Sequence, residues 1–171
     1  MSYRQPSFTL GVEEEYQIVD PESGELKSYI TQILEDGRVT VEGVQPELHQ
    51  SVVEVGSSVC ATPVEIRQEL LRLRGAVTEL AAKDGLKILA AGTHPFSSWM
   101  DQEITPLERY QGVEQDLQDL ARKNLIFGMH VHVGIDEDDL RIDLMPQLSY
   151  FLPHLLALSA SSPFWQGEDT G

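Results

Sequence analysis

Phe8-Thr-Leu-Gly-Val-Glu-Glu-Glu-Tyr-Gln-Ile-Val19 decides how the rest of the chain is read. Its β-branched and aromatic residues alternate with polar ones, and Asp20-Pro-Glu-Ser-Gly24 behind it has the composition of a turn, so it reads as a strand entering a hairpin. Two-residue periodicity puts Glu13 and Glu15 on one face and Val12, Glu14 and Tyr16 on the other. Strand rise separates Glu13 from Glu15 by roughly 7 Å. At an effective dielectric near 20 their repulsion is on the order of 2 kcal/mol, so burying both calls for a cation or a proton. A solvated sheet face is the alternative reading of the same pattern.

Beyond the turn a short second strand is expected, then one or two helical turns over Thr31–Asp36, then strands over Val39–Val41 and Glu47–Val55. Thr62-Pro63-Val64-Glu65 combines a capping threonine, a proline suited to the first helical position and the glutamate of a capping box. The cap alone is worth about 1 kcal/mol. A long helix follows, with Ile66, Leu70, Leu73, Val77, Leu80 and Ala81 on one face and Gly85 as its stop. Leu86–Ala91 reads as a buried strand that ends at Gly92-Thr-His-Pro95. Residues 106–123 read as a helix opening at Thr105-Pro106 with Glu108 at the box position, and Asn124–Ile135 as another strand. Asp136-Glu-Asp-Asp139 leads into an apolar helix through Leu158, interrupted at Pro146 and Pro153. Gly167-Glu-Asp-Thr-Gly171 shows no terminal element. Strands both adjacent and separated by helices predict an α+β class with a mixed or mainly antiparallel sheet flanked by helices, in one domain.

Charge narrows the function classes. The 28 acidic against 12 basic side chains leave a formal net charge of −16, which repels nucleic-acid phosphates and anionic lipids but suits divalent cations wherever carboxylates converge. No stretch reaches the ~18–20 apolar residues of a membrane span, and the first residues lack a signal-peptide core, so no nucleic acid, no membrane and a cytoplasmic location are expected. Cys60 is the single cysteine, which rules out an internal disulfide, and its apolar, small-residue setting reads as a buried structural thiol.

Three further stretches carry candidate chemistry. In Gln45-Pro-Glu47-Leu-His49-Gln-Ser-Val-Val-Glu54-Val-Gly, Glu54 interrupts an apolar strand and must find a partner or water. Glu47 carries less weight alone because it follows Pro46, and His49 reads as an ordinary polar side chain. Phe127-Gly-Met-His130-Val-His132-Val-Gly134 places two imidazoles on one strand face, a spacing that suits a metal or a phosphate, and equally a structural role. Thr93-His94-Pro95 sits in a loop behind a strand, where substrate contacts are common, although His94 serves equally as a turn residue.

Taken in order, Gly11-Val-Glu-Glu-Glu-Tyr, Gln45-Pro-Glu-Leu, Glu54-Val-Gly-Ser, Ala91-Gly-Thr-His-Pro-Phe, Gly128-Met-His-Val-His-Val-Gly and Ser162-Pro-Phe-Trp-Gln-Gly resemble the bacterial carboxylate–amine ligases of the glutamate–cysteine ligase type 2 family. The resemblance runs from Phe8 onward. It implies a fold similar to glutamine synthetase and glutamate–cysteine ligase, an antiparallel sheet curved around a funnel for ATP and Mg2+, here incomplete because complete members continue further. Residues 1–171 would be the N-terminal part of a single catalytic domain. By the same resemblance, Glu13, Glu15, Glu47, Glu54 and His130 bind metal, and Glu13, Glu54 and His130 contact the nucleotide. His130 and His132 would be catalytic, and Thr93 and His94 would touch substrate. The implied reaction activates a small-molecule carboxylate as an acyl phosphate that an amine captures, with glutamate and cysteine as the first guess. A homodimer is compatible with it, and an unclosed sheet would leave apolar surface exposed.

Two rivals remain open at this level. His130-Val-His132 followed by Glu137 resembles the ligand set of a cupin-type metal enzyme, although the capped helix from Pro63 to Asp84 does not suit that barrel. The other is a non-catalytic fragment or paralogue that binds metal or nucleotide without turnover.

Overall fold

The computed structural model describes residues 6, 8–35 and 41–171. The opening strand, β1 (Leu10–Val19), turns through Asp20, whose side chain accepts hydrogen bonds from the backbone of Glu22 and Ser23 at 2.9 and 3.0 Å, and the returning chain bridges Val19 at Leu26. Helix α1 (Ile30–Glu35) follows, then strands β2 (Val44–Pro46) and β3 (Val52–Gly56) and helix α2 (Pro63–Ala82). Strand β4 (Lys87–Leu89) precedes a 3-10 turn at Trp99–Asp101 and the helices α3 (Glu108–Leu117) and α4 (Asp119–Lys123). Strand β5 (Met129–Val133), helices α5 (Asp138–Ser149) and α6 (Leu152–Ser159), and a small hairpin of β6 (Phe164–Trp165) and β7 (Glu168–Asp169) complete the order.

β1 is the axis of an open, antiparallel five-stranded sheet. One of its edges pairs with β3, which pairs in turn with β2, while the other is shared end to end by β5 along Leu10–Glu14 and β4 along Gln17–Val19. The α+β class and the antiparallel sheet are as expected, and the described residues form no closed barrel of the cupin kind.

Helix α2 covers one face of this sheet. Thr62 Oγ1 accepts from the Glu65 amide at 3.3 Å, Glu65 reaches back to the Ala61 amide at 2.8 Å, and Gly85, at φ +73°, turns the chain out of the helix. Leu73, Val77 and Leu80 pack on Tyr16, Ile18, Val53 and Val55. Between β2 and β3 a close approach requires glycine: Gly43 has φ +88°, and a Cβ there would stand 2.3 Å from the Gly56 carbonyl oxygen. A second cluster on the other side joins Val19, Leu26, Val52, Leu125 and Phe127.

Glu14 lies on the helix-covered face, only 6% exposed. Arg74 of α2 grips both its oxygens, one through Nε at 2.9 Å, and the Tyr16 hydroxyl donates to it as well. Burial works to raise the Glu14 pKa, but the Arg74 and Tyr16 hydrogen bonds and the guanidinium charge outweigh it and hold the carboxyl below its ordinary range. A folded pKa below the unfolded one adds stability that is present above the unfolded value, about 4.3, and is lost as pH falls through the folded value. Arg74→Met should therefore destabilise the chain by about 2 kcal/mol at pH 7, less than the ~3–5 kcal/mol for a fully buried pair because Arg74 is half exposed. Thermal melts should show that deficit shrinking below pH 4. An equal deficit at pH 7 and pH 3.5 would contradict this account of Glu14.

Several sequence expectations are corrected. The strand read over Glu47–Val55 splits, because residues 48–50 bond across to residues 103–105, with the Thr105 amide on Leu48 O at 2.8 Å and the Gln50 amide on Glu103 O at 2.9 Å. Of the strand read over Val39–Val41, Val39 and Thr40 lie outside the described residues. β4 is short and exposed at Lys87 and Leu89, since it is paired only along β1. α3 starts at Glu108 because Thr105 Oγ1 donates to the Glu47 carbonyl at 2.6 Å and does not cap, and Gln118 at φ +47° separates it from α4. α5 runs through Pro146, whereas Pro153 sits in the first turn of α6. The β6–β7 hairpin turns on Gln166 and Gly167, both at positive φ, and the Gly167 amide bonds Pro95 O at 2.7 Å.

Cys60 is buried, as expected. No helix among the described residues is long and apolar enough to cross a membrane. Helices α5 and α6 contain no buried residue, and with β5 they expose Met129, Val131, Val133, Ile142, Met145 and Leu155.

Candidate functional site

The sheet face opposite α2 gathers carboxylates. The alternation of β1 turns Glu13 and Glu15 to this side, and the register pairs Glu15 with Glu54 of β3 and Glu54 with Gln45 of β2. Glu47 follows β2 directly. One carboxylate oxygen from each of Glu15, Glu47 and Glu54 lies within 4.8 Å of the others. On the neighbouring strand Glu13 is opposite His130, and Gly11 opposite His132. His130 Nδ1 and His132 Nε2 stand 3.3 and 3.1 Å from Glu13 Oε2.

Neutral donors hold the three clustered carboxylates. The Gly128 amide donates to Glu15 Oε2 at 2.7 Å, Gln45 Nε2 to Glu54 Oε1 at 2.8 Å, and the Tyr110 hydroxyl to Glu47 Oε2 at 2.7 Å. Among the described residues no lysine or arginine forms an ion pair with Glu13, Glu15, Glu47 or Glu54, whereas Glu14, Glu69 and Glu114 each have an arginine. Burial raises the Glu54 pKa, the Gln45 hydrogen bond offsets part of that, and the charges of Glu47, Glu13 and Glu15 raise it further. Such a group of hard oxygen donors with unmet negative charge suits Mg2+ or Mn2+, and the two imidazoles beside it can contribute a nitrogen ligand or a phosphate donor.

Glu13, Glu15, Glu47, Glu54, His130 and His132 are thus brought to one sheet face. Thr93 and His94 are not part of that group. His94 is 2% exposed, its Nδ1 accepting from the Ser97 amide at 2.9 Å and its Nε2 donating to Gly24 O at 2.9 Å. Burial lowers its pKa, and its ring ties the 93–97 loop to the first turn. Thr93 Oγ1 donates to Phe164 O at 2.7 Å, fastening the same loop to the final hairpin. His49 departs from the expected ordinary polar role: it is buried, with Nε2 3.1 Å from Arg122 O at the end of α4. The sequence reading missed Gln45 and Tyr110 as partners of the carboxylates. Gln45 was within reach, because strand pairing places it beside Glu54. Tyr110, 63 residues from Glu47, had no local signal.

Comparison with known proteins comes out in one direction. The profile of the glutamate–cysteine ligase family 2 matches residues 9–171. A protein of Herpetosiphon aurantiacus, provisionally named glutamate–cysteine ligase 2, is 59% identical over 177 residues, covering 100% of this chain and 46% of that protein. A Roseiflexus castenholzii protein with the same provisional name is 61% identical over 165 residues, covering 96% of this chain and 44% of that protein. The chain therefore spans less than half the length of these relatives. The crystal structure of a glutamate–cysteine ligase from Francisella tularensis in complex with AMP superposes with a TM-score of 0.60 at 12% identity, over 86% of this chain and 31% of that one. At that identity the likeness is one of fold.

Proposed function

Since the chain belongs to the glutamate–cysteine ligase family 2, we propose that its carboxylate–imidazole sheet face is the Mg2+- and ATP-binding surface of a cytoplasmic ATP-dependent carboxylate–amine ligase. In this reading all 171 residues belong to one catalytic domain. The observation that carries it is the convergence of Glu15, Glu47 and Glu54 without a cationic partner among the described residues.

The donor set fits the metal. Glu15, Glu47 and Glu54 offer the hard oxygens that Mg2+ prefers, and a cation there relieves the mutual repulsion of their carboxylates. Glu13 and His130 extend the set along β1 and β5, with Glu13, Glu54 and His130 as the nucleotide-side contacts. His130 Nδ1 and His132 Nε2 face Glu13 Oε2, which puts His130 Nε2 and His132 Nδ1 on the far side of each ring, where a neutral imidazole offers its lone pair to a metal. Bound there, Mg2+ and ATP would supply charge screening and the phosphoryl group that turns a substrate carboxylate into an acyl phosphate, the form an amine captures as an amide. The names of the relatives favour glutamate and cysteine as acid and amine, and the AMP in the Francisella structure favours an adenine nucleotide.

Calorimetric titration of the chain with ATP should give binding heat with Mg2+ present and none without it. ADP release on adding glutamate and cysteine separates a catalytic chain from one that only binds. Absence of Mg·ATP binding would contradict the proposal.

A further inference from the structure

We propose that Tyr110 is a positioning residue for this site, holding Glu47 in place through its hydroxyl; the inference rests on the reading of the carboxylate face as a divalent-cation site. Glu47 lies in the loop behind the edge strand β2, where backbone pairing with the sheet has ended, so it needs a separate support that Glu15 and Glu54 have from their strands. α3 provides it. Tyr110 is 7% exposed, and its hydroxyl meets Glu47 Oε2 at 2.7 Å and Pro46 O at 3.0 Å. The hydroxyl has one proton to give, and a carboxylate is the stronger acceptor, so it goes to Glu47. Arg109 fixes the ring in turn: its guanidinium carbon lies 4.3 Å from the ring centroid, and its Nη2 donates to the hydroxyl and, at 3.3 Å, to Pro46 O. One Glu47 oxygen is thereby held by a neutral donor within the group it forms with Glu15 and Glu54.

The molecule contains its own control. On the opposite face Tyr16 donates to Glu14, the same trio of side chains, but there the arginine, Arg74, reaches the carboxylate as well as the phenol, with Nε 2.9 Å from Glu14 Oε2 and 2.8 Å from the Tyr16 hydroxyl. Tyr16→Phe removes an equivalent buried hydrogen bond without touching the proposed site.

Mn2+ binding by the full 171-residue chain, read by loss of the free-ion paramagnetic resonance signal, tests the inference together with thermal melts of each variant. Tyr110→Phe should weaken Mn2+ binding ~10–100-fold, the usual effect of losing an outer-sphere partner, while Tyr16→Phe leaves it at the wild-type value. If Tyr110→Phe does not fold, Arg109→Met, which frees the hydroxyl but keeps the ring, takes its place and should weaken binding at least about threefold. Wild-type affinity in Tyr110→Phe, or equal weakening in Tyr110→Phe and Tyr16→Phe, overturns the positioning role. Failure of the unaltered chain to bind Mn2+ overturns the site itself, and with it this inference.

Discussion

Replacing Glu15 and Glu54 together by glutamine is expected to abolish divalent-cation binding by the chain and to raise the melting temperature of the metal-free protein. Both effects have one cause. The two residues face each other across the β1–β3 pair, and with Glu47 they bring three carboxylate oxygens within 4.8 Å of one another. At that spacing an effective dielectric near 20 gives a repulsion on the order of 3 kcal/mol for each charged pair, an upper figure for half-buried groups that water partly screens. Glutamine preserves size and the ability to accept from Gly128 but removes the charge, so the affinity loss should exceed the ~10–100-fold expected for an outer-sphere change. Without metal the same substitution relieves repulsion and should stabilise by about 1 kcal/mol. Titration with Mn2+ and melts in chelator check the two halves. A metal-free double variant that melts lower than the parent would show that these carboxylates support the fold by some other means.

Leu73→Ala is expected to be the most damaging single change to stability, costing about 3 kcal/mol within the ~2–5 kcal/mol range for emptied core leucines. Leu73 is fully buried at the centre of α2, among Val53, Val55, Tyr16 and Val77, and its Cδ2 reaches toward the tight passage at Gly43 between β2 and β3. The cavity would therefore open beneath the strands that present Glu54 and Glu15, in a place where glycine backbone and paired strands cannot collapse inward. For a chain of this size the loss corresponds to a fall in melting temperature of about 6–12 °C. Leu71→Ala, two positions along on the exposed side of the same helix, should change stability by no more than about 0.5 kcal/mol. Comparable shifts for the two would mean that α2 is not packed on the sheet as described.

What was legible in the sequence follows from where the governing interactions lie. Glu13 and Glu15 share a face because of β1's own period, Thr62 caps a helix whose box is four residues long, and His130 and His132 share a face for the same reason as the glutamates. These are local, and the structure has them. The break at residues 47–51 was not legible, because it depends on residues 103–105, which pair with that loop only after the chain has traversed α2 and β4. The same distance concealed the role of Thr105, which reads as a helix cap but is drawn to the Glu47 carbonyl. Periodicity placed Glu14 on the face opposite Glu13 and Glu15, yet the partner that makes its burial tolerable, Arg74, is sixty residues away. Tyr110 is hidden in the same way. His94 misled for a different reason: a histidine in a loop behind a strand suits substrate contact and turn closure equally, and only the backbone partners on both ring nitrogens separate the two.

The central claim is that Glu15, Glu47 and Glu54 form one cation site. Anomalous diffraction from crystals of the chain soaked in Mn2+ tests it most directly. The account predicts a peak about 2–2.5 Å from carboxylate oxygens of all three residues. An anomalous map with no peak on that sheet face, or with manganese bound only at other carboxylates, would contradict it.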